Sequence, residues 1–196
     1  AELICETIAE AAKVRGTGIA KRQPEYIITK MENGNAVIAL EGDQFAGFCY
    51  IEAWSHGKFV ANSGLIVHPD FRNLGLAKQI KKVIFEHSRT KFPDSKVFSI
   101  TTGLAVMKMN SELGYKPVTF SELTDDQSFW KGCQTCKNFD VLTRTEQKMC
   151  LCTGMLYDPA KAETSKPKER PYDKKVWTRL KLIKQNMFLK KDKKDE

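Results

Sequence analysis

No run of about 18 uncharged apolar residues occurs in the 196-residue chain, so the sequence offers no transmembrane helix. Its first residues, from Ala1, lack the charged-then-apolar pattern of a secretory leader, although a start without Met leaves trimming open. Internal repeats are absent, which sets solenoid architectures aside. An evenly spread positive charge is lacking too. The net charge is +8, but residues 161–196 hold 13 Lys and Arg against 6 Asp and Glu, while the first 160 residues hold 19 against 18. A near-neutral body speaks against a nucleic-acid partner, because the basicity belongs to the tail. A cytoplasmic setting is expected, in which thiols stay reduced.

What is present suits a folded domain. Apolar residues make up 41% and charged residues 29%, a globular and not a disordered composition. Residues 3–14 read as an amphipathic helix with Leu3, Ile4, Ile8, Ala11 and Ala12 on one side. A loop with two glycines and three cations follows to Gln23, and Pro24 opens a second helix to about Met31. Ala36–Leu40, the turn Glu41-Gly42-Asp43 and Phe45–Trp54 predict a β-hairpin, and Lys58–Val67 a third strand.

The period then changes. Ile80, Val83, Ile84 and His87 predict a helix over 76–90 that stops before Pro93. Strands over 96–101 and 115–120 bracket a helix over 104–113. Ser128–Val141 reads as a helix or a structured insertion, Lys148–Tyr157 as a last strand, and Ala160–Pro171 as a linker. Asp173–Lys190 predicts a terminal helix with an apolar stripe that includes Trp177 and Phe188. The expected class is α/β, with a mixed, mostly antiparallel central sheet flanked by helices. The expected division is a domain over 1–158, with a cysteine-bearing insertion near 128–152, and a basic linker and helix over 159–196.

The segment richest in chemistry is Val67-His68-Pro69-Asp70-Phe71-Arg72-Asn73-Leu74-Gly75-Leu76-Ala77. A β-branched strand runs through a short loop into Arg-x-x-Gly-x-Ala at a helix start. Gly75 allows close backbone approach to a ligand, and Ala77 keeps the first turn uncluttered. The free amides of that turn, with the helix dipole behind them, make an anion site suited to a pyrophosphate.

This segment resembles the acyl-coenzyme A loop of the GNAT (GCN5-related) N-acetyltransferases, whose signature is Arg/Gln-x-x-Gly-x-Gly/Ala. The resemblance covers about Leu3 to Tyr157. It implies that backbone groups of Leu65, Ile66 and Val67 pair with the pantetheine arm. It also implies that the amides of Arg72, Asn73, Leu74, Gly75, Leu76, Ala77 and Lys78 hold the pyrophosphate. The cosubstrate would be acetyl-CoA or another acyl-CoA such as succinyl-CoA, since the motif grips the shared coenzyme part. Longer stretches (GTGIAKR, FCYIEAW, FVANSGLIVHP, TTGLAVMK, FWKGC and MCLCTGMLYDP) are similar to a bacterial subgroup suspected of acylating glutamate in arginine biosynthesis.

The resemblance is incomplete where the family keeps its general acid. A Tyr usually stands four residues before a closing Gly-Phe; here the closing pair is Gly114-Tyr115, and counting back reaches Asn110. Gly103 stands where the family often has an Asn. Tyr115 could replace the acid only if the helix end is remodelled. The amine must lose a proton before attacking the thioester, and holding the two together supplies much of the rate. Glu52, near a strand end, is the candidate base, against the plainer reading of a solvated charge. His56 and His68 are further candidates, His68 reading more simply as a turn residue before Pro69. A strand amide near Ile66 or Val67 could hold the oxyanion. Arg15, Lys21 and Arg22 lie in the loop that covers the acceptor in such folds, and guanidinium forks suit a carboxylate-bearing amine. A merely solvated basic loop is the plainer reading.

Cys133-x-x-Cys136 and Cys150-x-Cys152 are two short-spaced pairs. Four thiolates suit a closed structural zinc site, and on one strand Cys150 and Cys152 would share a face. Reduced core cysteines and a redox pair are the rivals. The terminal helix could dock on its own domain or on a second copy as a homodimer, and binding of membranes or acidic partners is the lesser reading. Two other functions stay open: a GNAT-shaped module that holds coenzyme A without catalysis, and a zinc-bearing interaction protein whose tail contacts nucleic acid.

Overall fold

A computed structural model describes residues 1–15 and 21–164; side chains of 15, 163 and 164 lie outside the description. Residues Ala1–Glu163 form one compact unit. The expected terminal helix, and any dimer made through it, lies outside the described residues.

Helices α1 (Glu2–Arg15) and α2 (Pro24–Glu32) precede the hairpin β1 (Ala36–Glu41) and β2 (Gln44–Trp54). Then come β3 (Phe59–Val67), α3 (Leu76–Lys91), β4 (Lys96–Thr101), α4 (Leu104–Glu112) and β5 (Lys116–Val118). Two short helices, α5 (Gln127–Lys131) and α6 (Phe139–Arg144), lead to β6 (Thr153–Tyr157) and α7 (Pro159–Thr164). The sheet order is β1-β2-β3-β4-β6-β5. Only β3 and β4 run parallel; the other neighbours are antiparallel, as the mixed class requires.

Both faces of the sheet are covered, so β2 reads as an unbroken apolar run and not as an alternation. On one face Cys49, Ile51, Val60 and Val97 pack against Ile80 and Ile84 of α3. On the other, Phe48, Tyr50 and Ile66 meet Ile4, Ile8 and Ala11 of α1 and Ile27 of α2. The insertion closes that second face farther along, where Trp130 and Leu142 pack on Ala61, Phe98 and Leu156.

Several expected boundaries move. The strand over 115–120 contracts to Lys116–Val118, the outer strand of the sheet, where Pro117 can sit without a ladder donor. The last strand starts at Thr153 and not at Lys148, because Glu146 and Gln147 adopt left-handed backbone (φ 49° and 64°) and Thr145 Oγ1 bonds to the backbone of Met149. Residues 128–141, expected as a helix or a structured insertion, are not one continuous helix but carry α5 and the start of α6. The first part of the expected linker is helical as α7. On α3, Val83 is 49% exposed, while Lys81 and Ser88 join Ile80 and Ile84 in the buried face.

Two irregularities open the sheet where function is expected. Pairing of β3 with β4 ends at Ala61↔Phe98, although β3 continues to Val67 and β4 to Thr101. The strands part there as a fork. Across β2, Phe48 pairs with Ile66 and Tyr50 with Ser63, so Cys49 faces both Gly64 and Leu65 in a β-bulge. Gly64 has φ +65°, and a Cβ there would stand 2.5 Å from the Tyr50 ring. Gly64→Ala should therefore lower stability by about 2–3 kcal/mol through strain and overpacking. Urea unfolding checks this, and an unshifted midpoint would contradict the close approach.

Candidate functional site

A cavity of about 820 Å³ fills the fork. One wall is Asn62, Ser63, Gly64 and Leu65 of β3; the facing wall is Ser99, Ile100 and Thr101 of β4. It continues to a polar end made by α2 and the chain before it, and to an aromatic end made by the insertion.

At the polar end, Glu52 Oε1 accepts hydrogen bonds from Lys30 Nζ at 2.7 Å and from the Tyr26 hydroxyl. The carboxylate is held in an ion pair of low exposure, and is no solvated strand-end charge. Burial, reinforced by Tyr50 and Glu52, pushes the Tyr26 hydroxyl far up, so it stays a donor. Arg22 Nε donates to the Tyr50 hydroxyl at 2.7 Å, which fixes the guanidinium at the cavity wall. Lys21 lines the same end and is exposed, whereas the Arg15 side chain lies outside the described residues. The structure thus brings Lys21, Arg22 and Glu52 together, and adds Tyr26 and Lys30, which the sequence did not single out.

At the aromatic end, Phe98, Phe120, Phe129, Phe139 and Leu142 line the cavity, with Trp54 edge-on to Phe129. Cys133, Cys136, Cys150 and Cys152 share this wall. The zinc expectation needs correction: among the described residues no set of three or more His, Cys, Asp or Glu is arranged to hold a metal. Burial, aided by the neighbouring thiols, raises Cys133 to about 11 and Cys152 to about 12. Cys150 and Cys152 also precede β6, so strand alternation does not align them. Cys133, Cys150 and Cys152 instead pack against the apolar cluster of the insertion.

Beyond β3 the chain makes a short turn over Pro69–Phe71, and Arg72 Nε donates to the Val67 carbonyl at 3.2 Å. Asn73 (φ 65°) and Gly75 (φ 79°) are left-handed, and Gly75 caps α3. A Cβ at Gly75 would meet nothing within 4 Å, so glycine is needed for backbone conformation and for leaving the approach open. Residues 72–75 are exposed, and the amides of Leu76 and Ala77 in the first turn of a 16-residue helix have no acceptor within it. Two of the expected amides are committed elsewhere: the Arg72 N–H donates to the Pro69 carbonyl at 3.2 Å and the Lys78 N–H to the Gly75 carbonyl at 3.1 Å. The loop can hold an anion, and it follows directly from the strand that lines the fork. Leu65 lines the cavity, whereas Ile66 packs toward α1 and α2, and Lys78 forms an exposed ion pair with Glu112.

The two residues weighed for the general acid do not line the cavity. Asn110 is fully buried with its amide on Met155 Sδ at 3.6 Å. Tyr115 is buried as well, its hydroxyl donating to Asn62 Oδ1 at 3.1 Å. His68 lies between Phe45 and Phe71 with Nδ1 at 3.5 Å from Asp70, and His56 is an exposed turn residue at φ 55°. A cavity residue that the sequence reading passed over is Lys81. It is 2% exposed, its Nζ is 3.4 Å from Asn62 Oδ1, and burial lowers it to about 8.

The family comparison agrees with this geometry. The Acetyltransferase (GNAT) family model matches residues 6–105, just over half of the chain. The chain belongs to the GNAT acetyltransferase family. N-acetylglutamate synthase from Neisseria gonorrhoeae, complexed with coenzyme A and N-acetyl-glutamate, is similar in fold: TM-score 0.57 and 14% identity over 80% of this chain. This chain spans only 32% of that synthase. Rv2747 from Mycobacterium tuberculosis, in complex with CoA, gives a TM-score of 0.56 and 13% identity, with 80% of this chain and 92% of that one covered. An acetyltransferase-like protein from Acinetobacter baylyi gives 0.51 and 15%, with 80% and 84% covered. No curated protein matches. Among the described residues of this GNAT chain, no helix is long and apolar enough to cross a membrane.

Lys81 sets a pH dependence of stability. The folded chain gives up this proton near pH 8, the unfolded chain near the ordinary 10.5. Below 8 both states are protonated and the buried charge weighs fully against folding; between the two values the unfolded state binds more protons, so this contribution becomes more favourable as pH rises. Lys81→Met should therefore be more stable than the wild type by roughly 1–3 kcal/mol at pH 7, with the gap narrowing toward pH 10. Urea unfolding at the two pH values checks this, and a gap that fails to narrow would contradict the burial of a free amine.

Proposed function

We propose that the chain transfers an acyl group from an acyl-CoA thioester to the amine of a small, carboxylate-bearing acceptor. The observation that carries this reading is the fork. It gives an extended ligand the free strand edges of β3 and β4, beside a loop whose amides suit a pyrophosphate. In this reading the open amides of the expected span Arg72 to Lys78, those of Asn73 to Ala77, hold the pyrophosphate, and Leu65 to Val67 guide the pantetheine arm. The donor acyl group is acetyl or succinyl, two alternatives the loop does not separate because it grips only the shared coenzyme part.

The polar end supplies the acceptor chemistry. Arg22, anchored by Tyr50, faces the acceptor carboxylate, with Lys21 adding charge at the rim. Glu52, fixed by Lys30 and Tyr26, accepts the proton of the attacking amine directly or through water. Confinement of amine and thioester in one cavity supplies the largest part of the rate. Glutamate is one acceptor of this class, and the likeness to a synthase crystallised with N-acetyl-glutamate supports testing it. The aromatic end favours a second acceptor within the same class: an amino acid with an apolar side chain, which Phe98, Phe129 and Phe139 would cover.

Thiol release from acetyl-CoA and succinyl-CoA against glutamate, leucine, phenylalanine and a polyamine tests both. Turnover is expected with carboxylate-bearing amines, and Arg22→Ala should raise the acceptor KM about 10–100-fold with the acetyl-CoA KM within about twofold. Turnover with the polyamine alone, or an unmoved acceptor KM, would refute the acidic acceptor.

A further inference from the structure

We propose that Lys81 donates the proton taken up by the leaving coenzyme A sulfur, in the role that a tyrosine fills elsewhere in the family. The proposal rests on the acyltransferase reading and is carried by where Lys81 stands. It leaves α3 beneath the sheet and lines the same cavity as Asn62, Ser63 and Gly64. Its Nζ lies 3.4 Å from Asn62 Oδ1, and Asn62 is the first residue of β3 beyond the last pair with β4. The ammonium therefore marks the closed end of the fork. From Val67, where the strand gives onto the loop, back to Asn62 the chain covers the span of Gly47 to Ile51 on β2, about 14 Å of strand, because the bulge at Gly64 takes up one residue. An extended arm held at its phosphate end by that loop, lying along β3, brings its sulfur to the closed end.

The surroundings of Lys81 suit a proton donor. Among the described residues no carboxylate acts on it; the groups facing it are Cys49 of β2, Asn62 of β3 and the Tyr115 ring at 5.2 Å. A buried cation with no carboxylate beside it costs stability, and packing alone would be served better by Met or Leu. Burial brings the amine to about 8, where it is mostly protonated at neutral pH yet gives the proton readily. Asn62 orients it: its Oδ1 receives both Lys81 and Tyr115, while its Nδ2 donates to Ser88 Oγ at 2.7 Å. Tyr115 is committed to Asn62 and burial holds its hydroxyl well above 10, so it gives up no proton to the cavity.

The step balances. The amine nitrogen forms the C–N bond with the thioester carbonyl, the C–S bond breaks with its electron pair going to sulfur, and Lys81 passes one proton to that sulfur. The amine proton leaves by Glu52 or water, and water reprotonates Lys81.

The test compares wild type, Lys81→Met and Lys81→Arg by kcat for thiol release from pH 6 to 9.5, with coenzyme A affinity by calorimetry and thermal unfolding alongside. In the wild type kcat should fall on the alkaline side with a midpoint near 8. Lys81→Met should lose about 100-fold or more in kcat and lose that limb, with coenzyme A affinity kept and Tm not lowered. Lys81→Arg keeps the charge but holds its proton, so it should stay impaired. Activity of Lys81→Met within threefold of wild type, retention of its alkaline limb, or full rescue by Arg would overturn the proposal while leaving acyl transfer standing. A wild type that binds coenzyme A and releases no thiol with any amine would overturn the acyltransferase reading, and this proposal with it.

Discussion

The parting of β3 from β4 after Ala61↔Phe98 is the constraint on which the rest depends. Inside a sheet covered on both faces, unpaired strand edges leave backbone donors and acceptors that need partners. A ligand with its own amides, laid between the strands, can supply them, which is how an extended coenzyme arm differs from a generic apolar ligand. The neighbouring features keep the opening in place. The bulge at Gly64 turns β3 against β2, and the Tyr50 ring packs where a side chain would otherwise stand. Helix α3 then starts within a few residues of the strand end, so an anion site and a strand edge are joined by one short turn.

The cavity divides its chemistry by element. Helix α2 and β2 bring Tyr26, Lys30 and Glu52 into one hydrogen-bonded group that fixes a carboxylate without leaving it bare to solvent. The insertion brings aromatic rings and thiols, which exclude water and strengthen every charge interaction beside them. Lys81 stands between these ends. Its burial costs stability, and such a cost placed at the closed end of a functional cavity is the pattern expected of a working group.

Features set by local geometry were legible in the sequence. The loop from Val67 to Ala77 was readable because a strand, a proline turn and a glycine before a helix each impose a backbone requirement within a few residues. The hairpin, α2 and α3 followed from turn chemistry, Pro24 and apolar spacing. Features set by tertiary partners were not legible. Lys81 reads as a surface charge until helix rotation shows that 80, 81, 84 and 88, and not Val83, face the sheet. Spacing it against Ile84 and Ser88 was the available signal, masked by counting apolar residues alone. The cysteines suggested zinc through spacing, yet the turn around Glu146 and Gln147 placed Cys150 and Cys152 ahead of β6. The short β5, and β6 inserted between β4 and β5, are pairings between distant segments that no local pattern announces.

The most direct measurement is a crystal structure of the chain with coenzyme A, in which the position of the sulfur is read against the fork. The account predicts the pyrophosphate on the amides that precede and open α3, the arm along β3, and the sulfur at the closed end within reach of Lys81 Nζ. A coenzyme seated with its sulfur in the aromatic end, or outside the fork altogether, would contradict it.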